Sequence, residues 1–153
     1  MSRTAETVRN TKETQIRIVL DLDGAGESKI STGIGFYDHM LESFIRFTGF
    51  DATIETKGDL HIDMHHTVED TGIVLGQAVK QALAGLKGLR RFGHAYVPMD
   101  ETLTRCAIDL CNRPYLIHNV AYKTPKVGEM DTELFKEFHH AFAMHCGACL
   151  HLE

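Results

Sequence analysis

The sequence predicts an α+β fold made of two repeats of one half, and three observations lead there. Glu13–Asp23 (ETQIRIVLDLD) aligns with Glu101–Cys111 (ETLTRCAIDLC) at a shift of 88, with Glu, Thr, Arg, Asp and Leu in matching places. His39–Phe50 (HMLESFIRFTGF) aligns with Glu137–Ala148 (EFHHAFAMHCGA) at a shift of 98, so that Phe44 matches Phe142, Gly49 matches Gly147 and, further on, Glu55 matches Glu153. Two matches in the same order mark a duplicated half. Within a half, strand-like alternation twice gives way to helical spacing.

The elements follow in order. Residues 13–24, ETQIRIVLDLDG, are β-branched and alternating, with an Asp-Gly turn at their end. Residues 36–49, FYDHMLESFIRFTG, space Met40, Phe44 and Phe47 along one helical face and end on Gly49, a natural C-cap. FDATIET, residues 50–56, returns as a strand. Residues 65–88 then read as one long helix, because Val68, Gly72, Leu75, Val79, Ala82 and Leu86 recur every three or four places. Each half is therefore a small β-sheet with two helices on one face. The whole of 1–153 reads as a single domain, with a first half at about 1–88 and an incomplete second half at about 89–153. In the repeat's register Glu153 falls where Glu55 stands, so the second half lacks its last helix. Such a sheet would leave an apolar face open, and a further segment carrying the helix is expected beyond Glu153.

Bulk properties narrow the function classes. A length of 153 residues, 43% hydrophobic and 24% charged, describes an ordinary globular protein with a real core. A net charge of −5 argues against nucleic acid or an anionic membrane as partner. No apolar run is long enough to span a bilayer, and the polar start MSRTAETVRNTKET shows no secretory signal. Four cysteines are too few for a disulfide scaffold, so a cytoplasmic, reducing location is expected. Cys146 and Cys149 have CxxC spacing without a second such pair, and read as small apolar residues of the core.

The chemistry concentrates in DLHIDMHHTVED, Asp59–Asp70, with three histidines and four carboxylates. His65 and Glu69 stand at i, i+4, and His66 and Glu69 at i, i+3, along one edge of a helix that starts near His65. Such a mixed nitrogen and oxygen set suits manganese, iron or zinc. The plainer reading is a helix N-terminus, with Asp63 as N-cap and Glu69 and Asp70 favoured by the dipole. That accounts for the acids and leaves the adjacent histidines unexplained. His39, inside the other helix, is a second candidate, and its repeat mate Glu137 is another possible ligand. His61, His94, His139, His140, His145 and His151 lack consistent spacing with a carboxylate and stay outside the site. Arg91 after the run KGLRRFG and Arg113 in the turn NRPY could take an anionic metabolite, since Arg forks fit phosphate or carboxylate. No glycine-rich phosphate loop or Gly-x-Ser-x-Gly motif is present.

Taken together, RNTKET (9–14), STGIGFYDHML (31–41), GDLHIDMHHTVEDTGIVLGQA (58–78), RRFGHAYVPMDETL (90–103) and DLCNRPYL (109–116) resemble the imidazoleglycerol-phosphate dehydratase family of histidine biosynthesis, in the family's order and along essentially the whole chain. The resemblance implies a ribosomal protein S5 domain 2-like fold. It implies a hydro-lyase that converts imidazole glycerol phosphate to imidazole acetol phosphate with two Mn2+ ions per active site. It also implies a cytoplasmic homo-oligomer of twenty-four subunits with sites shared between chains. Carried over by position, His39, His65, His66, Glu69 and Glu137 are metal ligands. Glu13 contacts substrate and, with Glu69, is a candidate for proton transfer, while Arg91 and Arg113 hold substrate and its phosphate. The family's second His-His-x-x-Glu, and a serine and lysine for the phosphate, would all lie past Glu153. Cys111-Asn112 stands where Ser-Gly is common before Arg-Pro. The alternative is a catalytically incomplete metal-binding or assembly fragment of the same fold. An RNA-binding domain of similar layout is disfavoured by the acidic charge.

Overall fold

Residues 2–153 are described by a computed structural model. The chain opens with an edge strand, β1 (Thr4–Asn10), in which Ala5 alone is fully buried. That single apolar anchor is why the polar amino terminus does not read as a strand. A turn held by Thr11 leads into β2 (Thr14–Asp21), where Thr14, Ile16, Ile18 and Leu20 point inward and alternate with exposed or half-buried neighbours. Burying each of those aliphatic side chains is worth roughly 1.5–3 kcal/mol, which fixes the register of the strand. After β3 (Ser28–Ser31) come α1 (Gly35–Thr48), β4 (Asp51–Gly58) and α2 (His65–Leu83). The first sheet has the order β1-β2-β4-β3, with β3 parallel to β4 and the other pairs antiparallel.

The second half repeats this plan. Strands β5 (Phe92–Met99), β6 (Thr102–Leu110) and β7 (Tyr115–His118) precede a two-residue-per-strand hairpin, β8 (Lys126–Val127) with β9 (Met130–Asp131). Then come α3 (Leu134–Cys146) and β10 (Ala148–Leu152). The sheet order β5-β6-β10-β7 matches the first sheet place for place, down to the one parallel pair. Arg17 faces Glu55 across β2 and β4, at 3.4 Å, and the repeat mates Arg105 and Glu153 form the same ion pair and exchange both backbone hydrogen bonds. Ser28 pairs with Ala52, and Leu116 with Leu150, so the 88-residue shift persists through β7. The ten extra residues therefore lie between β7 and α3, where the β8–β9 hairpin is inserted.

Both α1 and α3 stop at glycines in the left-handed region, Gly49 (φ 72°) and Gly147 (φ 77°), each donating to a carbonyl four residues back. Helix α2 ends at Leu83 with Ala84 as its left-handed cap, five residues before the expected limit. Leu86 is correspondingly 40% exposed rather than part of the buried face. The Gly85 and Gly88 turns break a helical pattern that the leucine spacing alone would have continued.

The helices form a middle layer between the two sheets. Helix α2 lies across β1, β2 and β4 and packs on α3, which rests on β7 and β10. Their backbones come very close: a Cβ on Gly72 would sit 2.9 Å from the Phe138 carbonyl oxygen, and one on Gly76 2.7 Å from that of Phe142. The rising order of both contacts means that α2 and α3 run the same way. Phe36–Phe135, Tyr37–Phe138 and Phe44–Phe142, with ring centroids 5.8–6.4 Å apart, line α1 up beside α3 in the same direction. All three helices thus begin at one end of the molecule.

Among the described residues no second helix accompanies α3. The places of Ile16, Ile18 and Leu20 are taken by Thr104, Cys106 and Ile108, which no helix covers as α2 covers β1 and β2, and β5 is exposed along its length. Cys146 is buried, Cys106, Cys111 and Cys149 are half-buried, and all four are free thiols.

Candidate metal centre at the head of α2

Helical periodicity sorts the first turns of α2. Thr67, Val68, Asp70 and Thr71 turn inward, and His65, His66 and Glu69 turn toward solvent with side chains roughly 40% exposed. The chain reaches this point through a tight turn after β4. Gly58 passes so near Thr67 that a Cβ would lie 2.0 Å from its Oγ1, and the Ile62 N–H donates to the Asp59 carbonyl at 2.8 Å. Asp63 is not the N-cap, which is Met64; its carboxylate instead accepts the His65 N–H at 2.8 Å. It still satisfies one of the helix's free donors.

His65 and His66 are adjacent but point apart, with ring planes at 82° and centroids 6.0 Å apart. His65 Nε2 lies 3.3 Å from Glu69 Oε2. His66 Nδ1 lies 3.0 and 3.2 Å from the two oxygens of Asp59, whose side chain is only 10% exposed. That hydrogen bond raises the His66 pKa above 6.5, aided by the charges of Asp59, Glu13 and Asp63, and lowers the Asp59 pKa below 3.8. Glu13 therefore stands close enough to His66 to act on it electrostatically. Asp70 is not a dipole partner. It is a buried anchor that accepts from Arg9 and Thr14, and so ties the β1–β2 turn bearing Glu13 to α2.

His39 sits exposed on the second turn of α1, and Glu137 half-buried on the first turn of α3. Both lie at the same end of the molecule as His65 and His66. No group of three or more His, Cys, Asp or Glu side chains assembles into a metal-binding cluster among the described residues. Arg91, just before β5, and Arg113, in the turn between β6 and β7, flank the second sheet near Asp109. Arg91 Nε and Nη2 donate to its two oxygens at 3.0 and 2.8 Å, and the Arg113 charge adds to the depression of its pKa. The chain thus forms two separate chemical groups: His65, His66, Glu69 and Glu13 at the head of α2, and the arginine pair flanking the second sheet.

Sequence reasoning did not single out Asp59 or Asp109. Asp59 partners a residue seven places on, through an irregular turn that no periodicity predicts. Asp109 had a signal, since the repeat matches it to Asp21. Of the histidines left out of the site, His61, His94, His140 and His151 are exposed, and His139 and His145 are packing residues. His139 takes the place of Leu41 and is largely buried against Phe138 and His118, while His145 Nδ1 turns back onto the Ala141 carbonyl at 2.8 Å.

Comparisons with known proteins identify the family and the fold. The family model for imidazoleglycerol-phosphate dehydratase matches residues 32–153. The chain is 75% identical over 153 residues to the imidazoleglycerol-phosphate dehydratase of Phenylobacterium zucineum, covering all of this chain and 78% of that protein. It is 53% identical over 151 residues to the enzyme of Azorhizobium caulinodans, covering 99% and 77%. The crystal structure of the Staphylococcus aureus dehydratase superposes with a TM-score of 0.86 at 37% identity, covering 97% of this chain and 83% of that one. That of Pyrococcus furiosus gives 0.82 at 34%, covering 95% and 77%. On the match of family, sequence and fold, this chain belongs to the imidazoleglycerol-phosphate dehydratase family.

Proposed function

We propose that the protein removes water from imidazole glycerol phosphate to give imidazole acetol phosphate in L-histidine biosynthesis, as a manganese-dependent, cytoplasmic hydro-lyase. The observation that carries the reading is the family match over residues 32–153, which includes the histidine-rich head of α2. Among the described residues no helix is long and apolar enough to cross a membrane.

The donors at this head fit a first-row divalent metal. His65 and Glu69 already converge at 3.3 Å, and His66, with Nδ1 occupied by Asp59, offers Nε2 outward. His39 and Glu137 add donors at the same end of the helix layer. Following the family resemblance, the reading includes two Mn2+ ions per site and a homo-oligomer of twenty-four with sites shared between copies; among the described residues these donors do not by themselves form a cluster of three or more. Bound manganese would act as a Lewis acid on the substrate's imidazole ring, letting the ring accept electrons where no carbonyl is adjacent to do so.

The protein's own groups supply the rest. Glu69 is engaged with His65, which makes Glu13 the better placed carboxylate to move a proton at carbon or at the leaving hydroxyl. Arg113 and the N–H groups of Arg91 not spent on Asp109 provide positive charge for the phosphate. The test is direct: incubate the purified chain with Mn2+ and imidazole glycerol phosphate, and follow the product one water lighter by mass spectrometry. Metal-dependent formation of that product supports the reading; a chain that is folded, metal-loaded and inert overturns it.

A further inference from the structure

We infer that Asp59 is a positioning residue for the metal-binding head of α2, holding His66 with its proton on Nδ1 and its lone pair on Nε2, directed outward. The inference rests on the reading of His66 as a metal ligand. An ionised carboxylate can only accept hydrogen bonds, so the nitrogen facing it must donate. Both Asp59 oxygens lie within 3.2 Å of Nδ1, which assigns the donor to that nitrogen and leaves Nε2 as the acceptor. The pair is also asymmetric in exposure, 10% for the Asp59 side chain against 41% for His66. The ring is thus tethered on its inner side and open on its outer side.

Asp59 is itself well placed to act as a tether. It directly follows Gly58, whose contact with Thr67 binds the end of β4 to α2, and its carbonyl closes the turn to Ile62. His65 is organised differently, through Nε2 and Glu69. Neighbouring histidines are therefore fixed by separate carboxylates in separate directions, as two ligands of differing orientation require. A carboxylate behind a metal-bound imidazole sets both its tautomer and its basicity, and its loss typically lowers metal affinity about 10–100-fold.

The experiment is imidazole 15N NMR on the metal-free chain at about pH 9, where histidine is neutral, followed by titration with Mn2+ and paramagnetic broadening of the His65 and His66 signals. In the wild-type chain His66 is expected as the Nδ1–H tautomer. In Asp59→Ala it should revert toward Nε2–H, the form an untethered imidazole favours, and the Mn2+ concentration for half-broadening should rise by about tenfold or more. Asp59→Glu, which keeps the acceptor, should recover part of both. A wild-type His66 with its proton on Nε2 overturns the proposal even if Asp59→Ala does not fold, as does a folded Asp59→Ala with unchanged tautomer and half-point. His66→Ala separates the two levels: if the folded variant binds Mn2+ with the wild-type stoichiometry and half-point, the reading of His66 as a metal ligand fails, and with it the reason for the tether.

Discussion

Phe44 and Phe142, repeat mates 98 residues apart, meet edge to face across the seam between α1 and α3, with centroids 6.4 Å apart and planes at 73°. The two sheets flank the helix layer from opposite sides, so the mates α1 and α3 meet beside a local two-fold axis. The duplication is therefore also the symmetry that packs the two halves, and it brings the starts of three helices to one end of the molecule.

The α2–α3 contact should tolerate no side chain at its closest point. In Gly76→Ala the new Cβ would meet the Phe142 carbonyl oxygen at 2.7 Å and the Cys146 nitrogen at 2.9 Å, both backbone atoms that cannot swing away. Overpacking of this kind costs about 1–3 kcal/mol, against a gain of under about 1 kcal/mol in helix propensity. Urea unfolding should show a net loss of stability. An unchanged midpoint would mean that the helices sit farther apart.

Acid should weaken the fold through His139. Burial and the neighbouring His118 lower its pKa from 6.5 to about 4, and its Nδ1 has no hydrogen-bond partner. Between those pH values the unfolded chain binds the proton and the folded chain does not, so stability is complete above about pH 6.5 and falls as pH drops toward 4. The loss from this residue is roughly 3 kcal/mol. His139→Leu, which installs the residue found at the equivalent position 41, should flatten that part of the stability curve. A curve parallel to wild type would remove His139 as the cause.

Two arginines should differ sharply in value. Arg9 partners Asp70, whose side chain is 10% exposed, and Arg9→Ala would strand that carboxylate with Thr14 alone. Arg9 is itself about a third exposed, so the expected cost is about 2 kcal/mol rather than the larger figure for a wholly buried pair. Arg17, paired with Glu6 and Glu55 on the open sheet surface, where solvent screens the charges, should cost clearly less on replacement. Equal losses in thermal or urea unfolding would contradict the ranking.

In the metal-loaded, active protein, His65→Ala and His66→Ala should each weaken metal binding and abolish turnover. Wild-type metal content and rate in either variant would remove that ligand. Arg113→Ala should raise KM for the phosphorylated substrate, by about tenfold for the loss of one charged contact. An unchanged KM would take Arg113 out of the anion site.

The sequence exposes most of the repeat because its strongest elements carry dense apolar spacing: β2, β4 and the body of α2. Helix α1 is legible as a helix but not by its face, since Tyr37, Leu41 and Ile45 are buried while Met40 and Phe47 of the expected face are 41% and 87% exposed. It conceals β1, whose one buried side chain cannot produce a pattern, and the β8–β9 hairpin, whose strands are two residues long. The end of α2 is hidden for the opposite reason, since Leu86 continues the helical spacing after the backbone has turned away. At the candidate site the histidines and Glu69 stand out by type and spacing. Asp59 and the Arg9–Asp70 pair do not, because both depend on segments brought together only by the finished fold.

Gly72 and Gly76 also act on the chain as a gear acts on a shaft. From Gly72 back to His65 is about two helical turns, and with α2 meshed to α3 at the glycines, that count sets the compass bearing of every residue at the head. One residue inserted or deleted between them would swing His65, His66 and Glu69 by about 100° and shift them by about 1.5 Å, while leaving the meshed portion undisturbed. Substitutions at the head can therefore be graded, but a change in its length cannot. Such a variant would keep its core and lose the aim of all three side chains at once.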